Sequence, residues 1–158
     1  MVETKNNILL KQEILDACTG KQRALIENFK ERIKSLLDTE GLGNEEPYDT
    51  VDQATALQII PELNTLNEAL ESAHQKMDKL ENLKRSAHEI HVQPSLGAVV
   101  VTDKYTFFIS SSPENLKLHG QTYVGISTVS PLFMAMRGKR AGEKFVFNGT
   151  TYTINEIF

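Results

Sequence analysis

The stretch SPLFMAMRGKRAGEKFVFNGTTYTI, which runs from Ser130 to Ile154, contains the signals of a capped helix followed by a hairpin. Ser130 is a preferred N-cap residue, and Pro131 suits the first helical position because its ring fixes φ near the helical value. Gly138 readily adopts the left-handed conformation that ends a helix. The stretch therefore predicts a helix of one or two turns between Pro131 and Gly138.

The segments on either side of this helix alternate apolar and polar residues, which is typical of strands. In KFVFNGTTYTI, the pair Asn148-Gly149 suits the two positive φ angles of a type I′ turn, so this segment predicts a hairpin. AVVVTDKYTFFIS predicts two strands joined by a tight turn at Asp103-Lys104, and TYVGIST predicts a third strand that leads into the helix. We expect a small antiparallel sheet with one short helix packed on it.

Apolar residues recur at helical spacing in two stretches upstream of Pro94. The first stripe comprises Ile14, Cys18, Leu25, Phe29, Ile33 and Leu36. The second has heptad spacing and comprises Leu63, Leu66, Leu70, Ala73, Met77 and Leu80. Two such helices joined by a short connection must lie antiparallel. The sequence therefore predicts an α+β chain, with an antiparallel two-helix coiled coil over residues 1–93 and a small β domain over residues 94–158.

The connection between the two helices, DTEGLGNEEPYDTVDQ, contains residues that break helices. Gly41, Gly43 and Pro47 interrupt helical structure, and Asn44 favours a turn. We expect this segment to form the tip of the helical hairpin. Pro61 follows shortly afterwards, and it either kinks the second helix or marks the true start of that helix.

The composition indicates a globular protein rather than a membrane or secreted one. The chain has 158 residues, of which 40% are hydrophobic, and its single cysteine, Cys18, excludes an internal disulfide. We find neither an apolar run of the roughly 20 residues needed to span a bilayer nor a secretory signal, so we expect a cytoplasmic protein. The net charge of −4 argues against direct binding to DNA or RNA, which requires a basic face.

The residues that usually carry catalysis or bind metals form no recognisable motif. His74, His88, His91 and His119 lack metal-ligand spacing, and we interpret them as scattered surface residues. Neither a nucleophile motif nor a glycine-rich phosphate loop occurs. The residues by themselves therefore predict no catalytic or metal site.

The order of these elements resembles that of the bacterial Gre transcript-cleavage and elongation factors. The resemblance is carried by VGISTVSPLFMAMRGKRAGEKFVFNGTTYTINEIF, from Val124 to Phe158. The matched positions are Ile126-Ser127, Ser130-Pro131-Leu132, Ala135, Gly138-Lys139, Gly142-Glu143, Tyr152, Ile154 and Ile157. In the helical half the resemblance is one of architecture and length. It implies that the C-terminal domain is FKBP-like.

The resemblance also implies a partner and a mode of action. A Gre-like factor binds RNA polymerase with its C-terminal domain at the rim of the secondary channel, and it places the coiled-coil tip near the active centre. Two acidic side chains at that tip help to hold a second Mg²⁺, and the polymerase itself then hydrolyses the backtracked transcript. The resemblance thus implies a monomer without a cofactor of its own, sharing Mg²⁺ with the polymerase active centre.

The tip departs from the family pattern. Where the family has its acidic pair, this chain has Gly41 and Asn44. Carboxylates nearby remain, and the candidates for polymerase-bound Mg²⁺ are Glu45, Glu46 and Asp49. Two alternatives stay open: the acidic residues are simply those of a solvated loop, or the tip occupies the channel and inhibits, as in anti-Gre paralogues.

The polymerase contact in the family comes from the strand-to-helix corner, as a small polar residue, an acidic or amide residue, and a proline. These positions fall on Ser127, Val129 and Pro131, so the middle position is apolar here. The alternative is that Ser130-Pro131 serves only as a helix start. A generic coiled-coil interaction module with a different partner stays open as a second class of function.

Overall fold

Two long helices precede a six-stranded sheet and one short helix in the computed structural model, which describes residues 2–39, 53–111 and 113–158. The elements in chain order are α1 (Val2–Thr39), α2 (Gln53–Arg85), β1 (Val99–Thr102), β2 (Thr106–Ile109), β3 (Leu116–Leu118), β4 (Gln121–Ile126), α3 (Pro131–Met136), β5 (Lys144–Phe147) and β6 (Thr150–Ile157). The α+β class is confirmed. Within these three ranges, no helix is long and apolar enough to cross a membrane.

The strand order is β3-β4-β2-β1-β6-β5, and one of the pairings differs from our prediction. We expected an antiparallel sheet, but β2 and β4 pair in parallel, with Phe107 opposite Val124. The physical reason is β3, which the sequence reading missed. The chain leaves β2, forms β3, and reverses through His119 and Gly120 at φ angles of 51° and 79°. This two-residue turn sends β4 back in the direction of β2.

The predicted turns are confirmed. Between β1 and β2, the backbone N–H of Thr102 donates to the carbonyl of Tyr105 at 2.9 Å across Asp103-Lys104. Between β5 and β6, Asn148 and Gly149 have φ angles of 49° and 74°, as a type I′ turn requires.

The chain divides into two compact units, which we call the sheet unit (Met1–Gly20 with Asp78–Phe158) and the helical unit (Lys21–Met77). The change from helix to strand follows Pro94, as expected. The compact units do not divide at that point, because residues 1–20 and 78–93 belong to the same unit as the strands. The domain boundary between residues 93 and 94 therefore stays a prediction. The ends of α1 and α2 that belong to the sheet unit run antiparallel, and the Lys84 ammonium lies 2.6 Å from the Asp16 carboxylate.

The sheet is buried on both faces within the sheet unit. One cluster of buried side chains joins the two helix ends to one face through Ile14, Leu80 and Leu83. The second cluster joins α3 to the opposite face through Phe133 and Met136.

The helical unit is an antiparallel pair of helix segments. The Gln22 side-chain amide donates to the carbonyl of Ala73 at 2.9 Å, and Arg32 lies 3.8 Å from Glu62. The predicted α2 stripe is confirmed, since each of its members is buried or half-buried. The predicted α1 stripe is wrong at one position: Leu25 is 39% exposed, while Ile26 is 4% exposed. The reason is that the buried face of α1 includes the polar residue Gln22. Ile26 lies four residues after Gln22 and therefore shares this buried face, whereas Leu25 lies beside it.

Pro61 does not mark the start of the second helix. α2 begins at Gln53, and Pro61 lies inside it. Proline removes only one backbone donor from a helix, and apolar burial continues on both sides of it, with Ile59 4% and Leu66 7% exposed. The Thr65 hydroxyl also donates to the carbonyl of Pro61 at 2.9 Å.

Replacing Gly125 with alanine should destabilise the protein. A Cβ at this position of β4 would collide with the backbone N and O of Glu114, and backbone cannot rotate aside as a flexible side chain can. We expect a loss of about 1–3 kcal/mol in the free energy of unfolding, measured by urea denaturation. The matched control is Gly20→Ala in α1, where a Cβ meets nothing within 4 Å and should stabilise the helix by about 0.5–1 kcal/mol. Equal stabilities of the two variants would contradict this account.

Candidate functional site

The corner between β4 and α3 is built by a helix cap. Ser130 has extended backbone angles, and its hydroxyl accepts a hydrogen bond from the N–H of Phe133 at 3.2 Å. The N–H of Ser130 in turn donates to the carbonyl of Ser127 at 3.1 Å. Pro131 occupies the first turn, where its missing N–H costs nothing. Ser130 and Pro131 therefore fix where the helix begins.

The three predicted docking residues all lie at this corner, with different exposure. Ser127 is half-buried, Val129 is 80% exposed, and Pro131 is exposed. An apolar side chain with that exposure is not used in the core. Val129 is therefore the residue of the three that is most available to a partner.

The segment after α3 closes the turn that leads into β5. Gly138 and Gly142 have φ angles of 75° and 89°, which favour glycine. Arg140 lies between these glycines, and its backbone N–H donates to the carboxylate of Glu143, which directly follows Gly142, at 2.7 Å. The stretch KRAGE thus connects the helix to the hairpin.

A groove of about 590 Å³ lies beside the corner. One wall comes from the last turns of α2, which contribute Lys79 and Leu83, and from Ser86, which directly follows the helix. The other walls come from Leu96 and from two short segments, Ser110-Ser111 and Ser127-Thr128-Val129.

The groove combines an apolar surface with hydroxyl groups. Leu96 is 45% exposed, and Leu83 is 7% exposed. The Ser111 hydroxyl is buried and has no hydrogen-bond partner within the three described ranges. The lining residues include one cation, Lys79, and no carboxylate as far as the described chain goes.

A second cavity, of about 190 Å³, lies between the first turns of α1, the segment after α2, and the end of β6. Lys11 is only 2% exposed there, and its ammonium donates to the carbonyl of Glu89 at 2.7 Å. Burial lowers the pKa of Lys11, while the Glu89 carboxylate acts in the opposite direction. The Asn7 amide donates to the Glu156 carboxylate at 2.6 Å beside it.

The histidines are only partly as predicted. His74, His88 and His119 are exposed, but His91 is half-buried, and its Nδ1 lies 2.7 Å from the Ser95 hydroxyl. Burial, with a smaller contribution from Lys11, lowers the pKa of His91. Among the described residues, no group of three or more His, Cys, Asp or Glu side chains could hold a metal ion.

The predicted tip carboxylates, Glu45, Glu46 and Asp49, lie outside the described residues, as do Gly41 and Asn44.

The sequence analysis did not predict the α2 wall of the groove. A signal for part of it exists, because the 3-4 spacing that includes Leu80 continues to Leu83 and Ala87. Lys11 carried no such signal, since a lysine is expected on a solvated face.

The chain was compared with protein-family models, curated proteins and solved structures. No protein-family model matches the chain, and no curated protein matches it. A solved structure described as "Structure of the transcription factor Gfh1" is 18% identical over 89% of this chain and 93% of that chain, with a TM-score of 0.31. A similarity at this level carries no argument about function.

The burial of Lys11 should produce a pH dependence of stability. Because its pKa is lower in the folded chain, the unfolded chain binds more protons between that value and the ordinary value of 10.5. The free energy of unfolding should therefore rise with pH across this window, and the rise should be smaller in Lys11→Met. Urea unfolding at several pH values up to 10.5 measures it. The control is Lys5→Met, at an exposed position of α1, and a profile for Lys11→Met that matches this control would contradict the prediction.

Proposed function

We propose that this chain is a Gre-like transcription elongation factor that binds RNA polymerase at the secondary channel. In this proposal, the sheet unit docks through the corner between β4 and α3, and the segment between α1 and α2 carries acidic side chains toward the active centre. The chain acts as a cytoplasmic monomer with an FKBP-like C-terminal domain. It is not an enzyme by itself, because the polymerase performs the hydrolysis.

The observation that carries this proposal is the exposed corner in the stretch from Val124 to Phe158. Its residue pattern resembles the polymerase-docking corner of the family, and the same residues form a hydrogen-bonded, capped turn in this chain. Ser130 caps α3 through the N–H of Phe133, and its own N–H donates to the carbonyl of Ser127. Val129, 80% exposed, lies within this turn. A turn that is already hydrogen-bonded and presents an apolar side chain is suited to docking, because less conformational entropy is lost on binding.

The proposed chemistry at the tip rests on the sequence. Glu45, Glu46 and Asp49 supply carboxylate oxygens, which are the ligands that Mg²⁺ prefers. Mg²⁺ at a polymerase active centre activates water and stabilises the charge that develops on the phosphate. The role of the chain is to hold these carboxylates, and the substrate stays with the polymerase.

A second candidate function is inhibition of the polymerase. It is favoured by Gly41 and Asn44, which stand where the family has its two acidic residues. A tip that lacks this pair can occupy the channel without supporting hydrolysis. Both candidates require binding to the polymerase, so binding is the first test.

We expect the purified chain to bind core RNA polymerase from the same organism in a pull-down assay. Val129→Asp should weaken binding at least fivefold, because a buried carboxylate would have to be desolvated at the contact. The matched control is Val146→Asp on β5, where the valine is 60% exposed and lies outside the corner. A chain that neither binds polymerase nor competes with another secondary-channel factor would refute the proposal and leave the generic interaction module.

RNA release from a stalled, backtracked elongation complex separates stimulation from inhibition. If the chain stimulates cleavage, the effect should require Mg²⁺ and be lost in Glu45→Ala/Glu46→Ala. If it inhibits, it should slow the cleavage that a stimulating factor causes. Stimulation that survives the double substitution would show that other carboxylates are responsible.

A further inference from the structure

We infer that the groove beside the corner receives an acidic segment of the polymerase, with a carboxylate placed near Lys79 and an apolar side chain between Leu83 and Leu96. This inference rests on the proposed function, because it names the kind of surface that the docking corner meets. It adds a wall of α2 to the docking surface, which the resemblance to the family did not include.

The charge of the groove is the first argument for an acidic occupant. The whole chain has a net charge of −4, yet no carboxylate lines the groove within the described residues. Lys79, which lines the groove, is exposed and forms no ion pair in the part of the chain that the structure describes. By contrast, Lys84 on the same helix is paired with Asp16 at 2.6 Å. An unpaired lysine next to an acid-free surface complements a carboxylate and repels a basic partner.

The shape and chemistry of the lining indicate that the occupant also has an apolar side chain. Leu83, Leu96 and Val129 come from three separate parts of the chain and line the same groove. The lining of the groove also includes hydroxyl-bearing residues, among them Ser86, Ser127 and Thr128. Apolar side chains bordered by small hydroxyls suit a peptide segment, because the hydroxyls can bond to backbone groups while the apolar residues bury a side chain.

A protein segment fits this groove better than a nucleic acid does. Binding of a nucleic acid backbone depends on several lysines and arginines that displace counterions, and among the residues that the structure describes the groove contributes a single lysine. One lysine is sufficient to orient a single carboxylate.

The test compares polymerase binding by Lys79→Glu with binding by Lys76→Glu. Both lysines are exposed on α2 and three residues apart, but Lys76 does not line the groove. We expect Lys79→Glu to weaken binding to core polymerase about fivefold to twentyfold, because the substitution places like charges opposite each other. We expect Lys76→Glu to bind as the wild type does. Urea unfolding of both variants verifies that each is folded.

A second measurement uses the salt dependence of affinity. Lys79→Met removes the charge without reversing it, and the decline of affinity with salt should be shallower than in the wild type. If the wild type binds and both glutamate variants keep its affinity, or lose it equally, the acidic occupant is refuted and the proposed function stands. If the wild type itself does not bind polymerase, both the proposed function and this inference are refuted.

Discussion

The burial of β1 between two apolar layers is the interaction on which the sheet unit depends. Successive side chains of a strand point to opposite faces, and the two clusters divide the strand accordingly. Val99 packs with the helix ends, and Val100 packs with α3, both with 0% exposure. Each such side chain stabilises the fold by roughly 1.5–3 kcal/mol through burial. The strand is also hydrogen-bonded on both edges, because β2 and β6 flank it. The helix ends and the capped helix therefore stabilise each other through a strand that neither could bury alone.

Buried polar residues constrain how α1 packs. Lys11 and Gln22 occupy core positions of α1, and each of them donates to a backbone carbonyl: Lys11 to Glu89 in the segment after α2, and Gln22 to Ala73 within α2. A buried polar group costs free energy unless it is bonded, so a shifted register would leave these donors unsatisfied. Apolar side chains at the same positions would tolerate sliding more readily. The polar positions thus contribute specificity, in the way that a single polar residue fixes the register of a coiled coil.

Local signals in the sequence predicted those parts of the fold that local chemistry determines. The helix cap at Ser130 and the turn at Asn148-Gly149 follow from the conformational preferences of a few adjacent residues. The parallel pairing of β2 and β4 could not be predicted in this way, because it depends on β3, and the three residues of that strand are too few for their alternation to stand out. Leu25 was misplaced because apolar spacing cannot reveal a buried glutamine. The tip and its carboxylates, proposed from the sequence, lie outside the described residues.

The groove was beyond sequence reasoning for a different reason. Lys79, Leu96 and Val129 are far apart in the chain, and only the packing of the α2 end on the sheet brings them to one surface. The heptad-spaced stripe of α2 predicted that this end of the helix has a buried face, but it did not predict which of the other faces lines the groove.

In the proposed docking, the residues of the corner divide between folding and recognition. Ser130 and Pro131 serve the start of α3, so a substitution there changes the helix as well as any contact. Val129 has no such structural role, because its side chain is 80% exposed and precedes the cap. A polar residue at this position would have to lose its hydration on docking, and its contribution would depend on a matching group of the partner. A valine loses little hydration and gains from contact with any apolar surface. In the proposed docking, orientation would come from a polar group elsewhere in the groove, and among the described lining residues Lys79 on the α2 wall is the charged one.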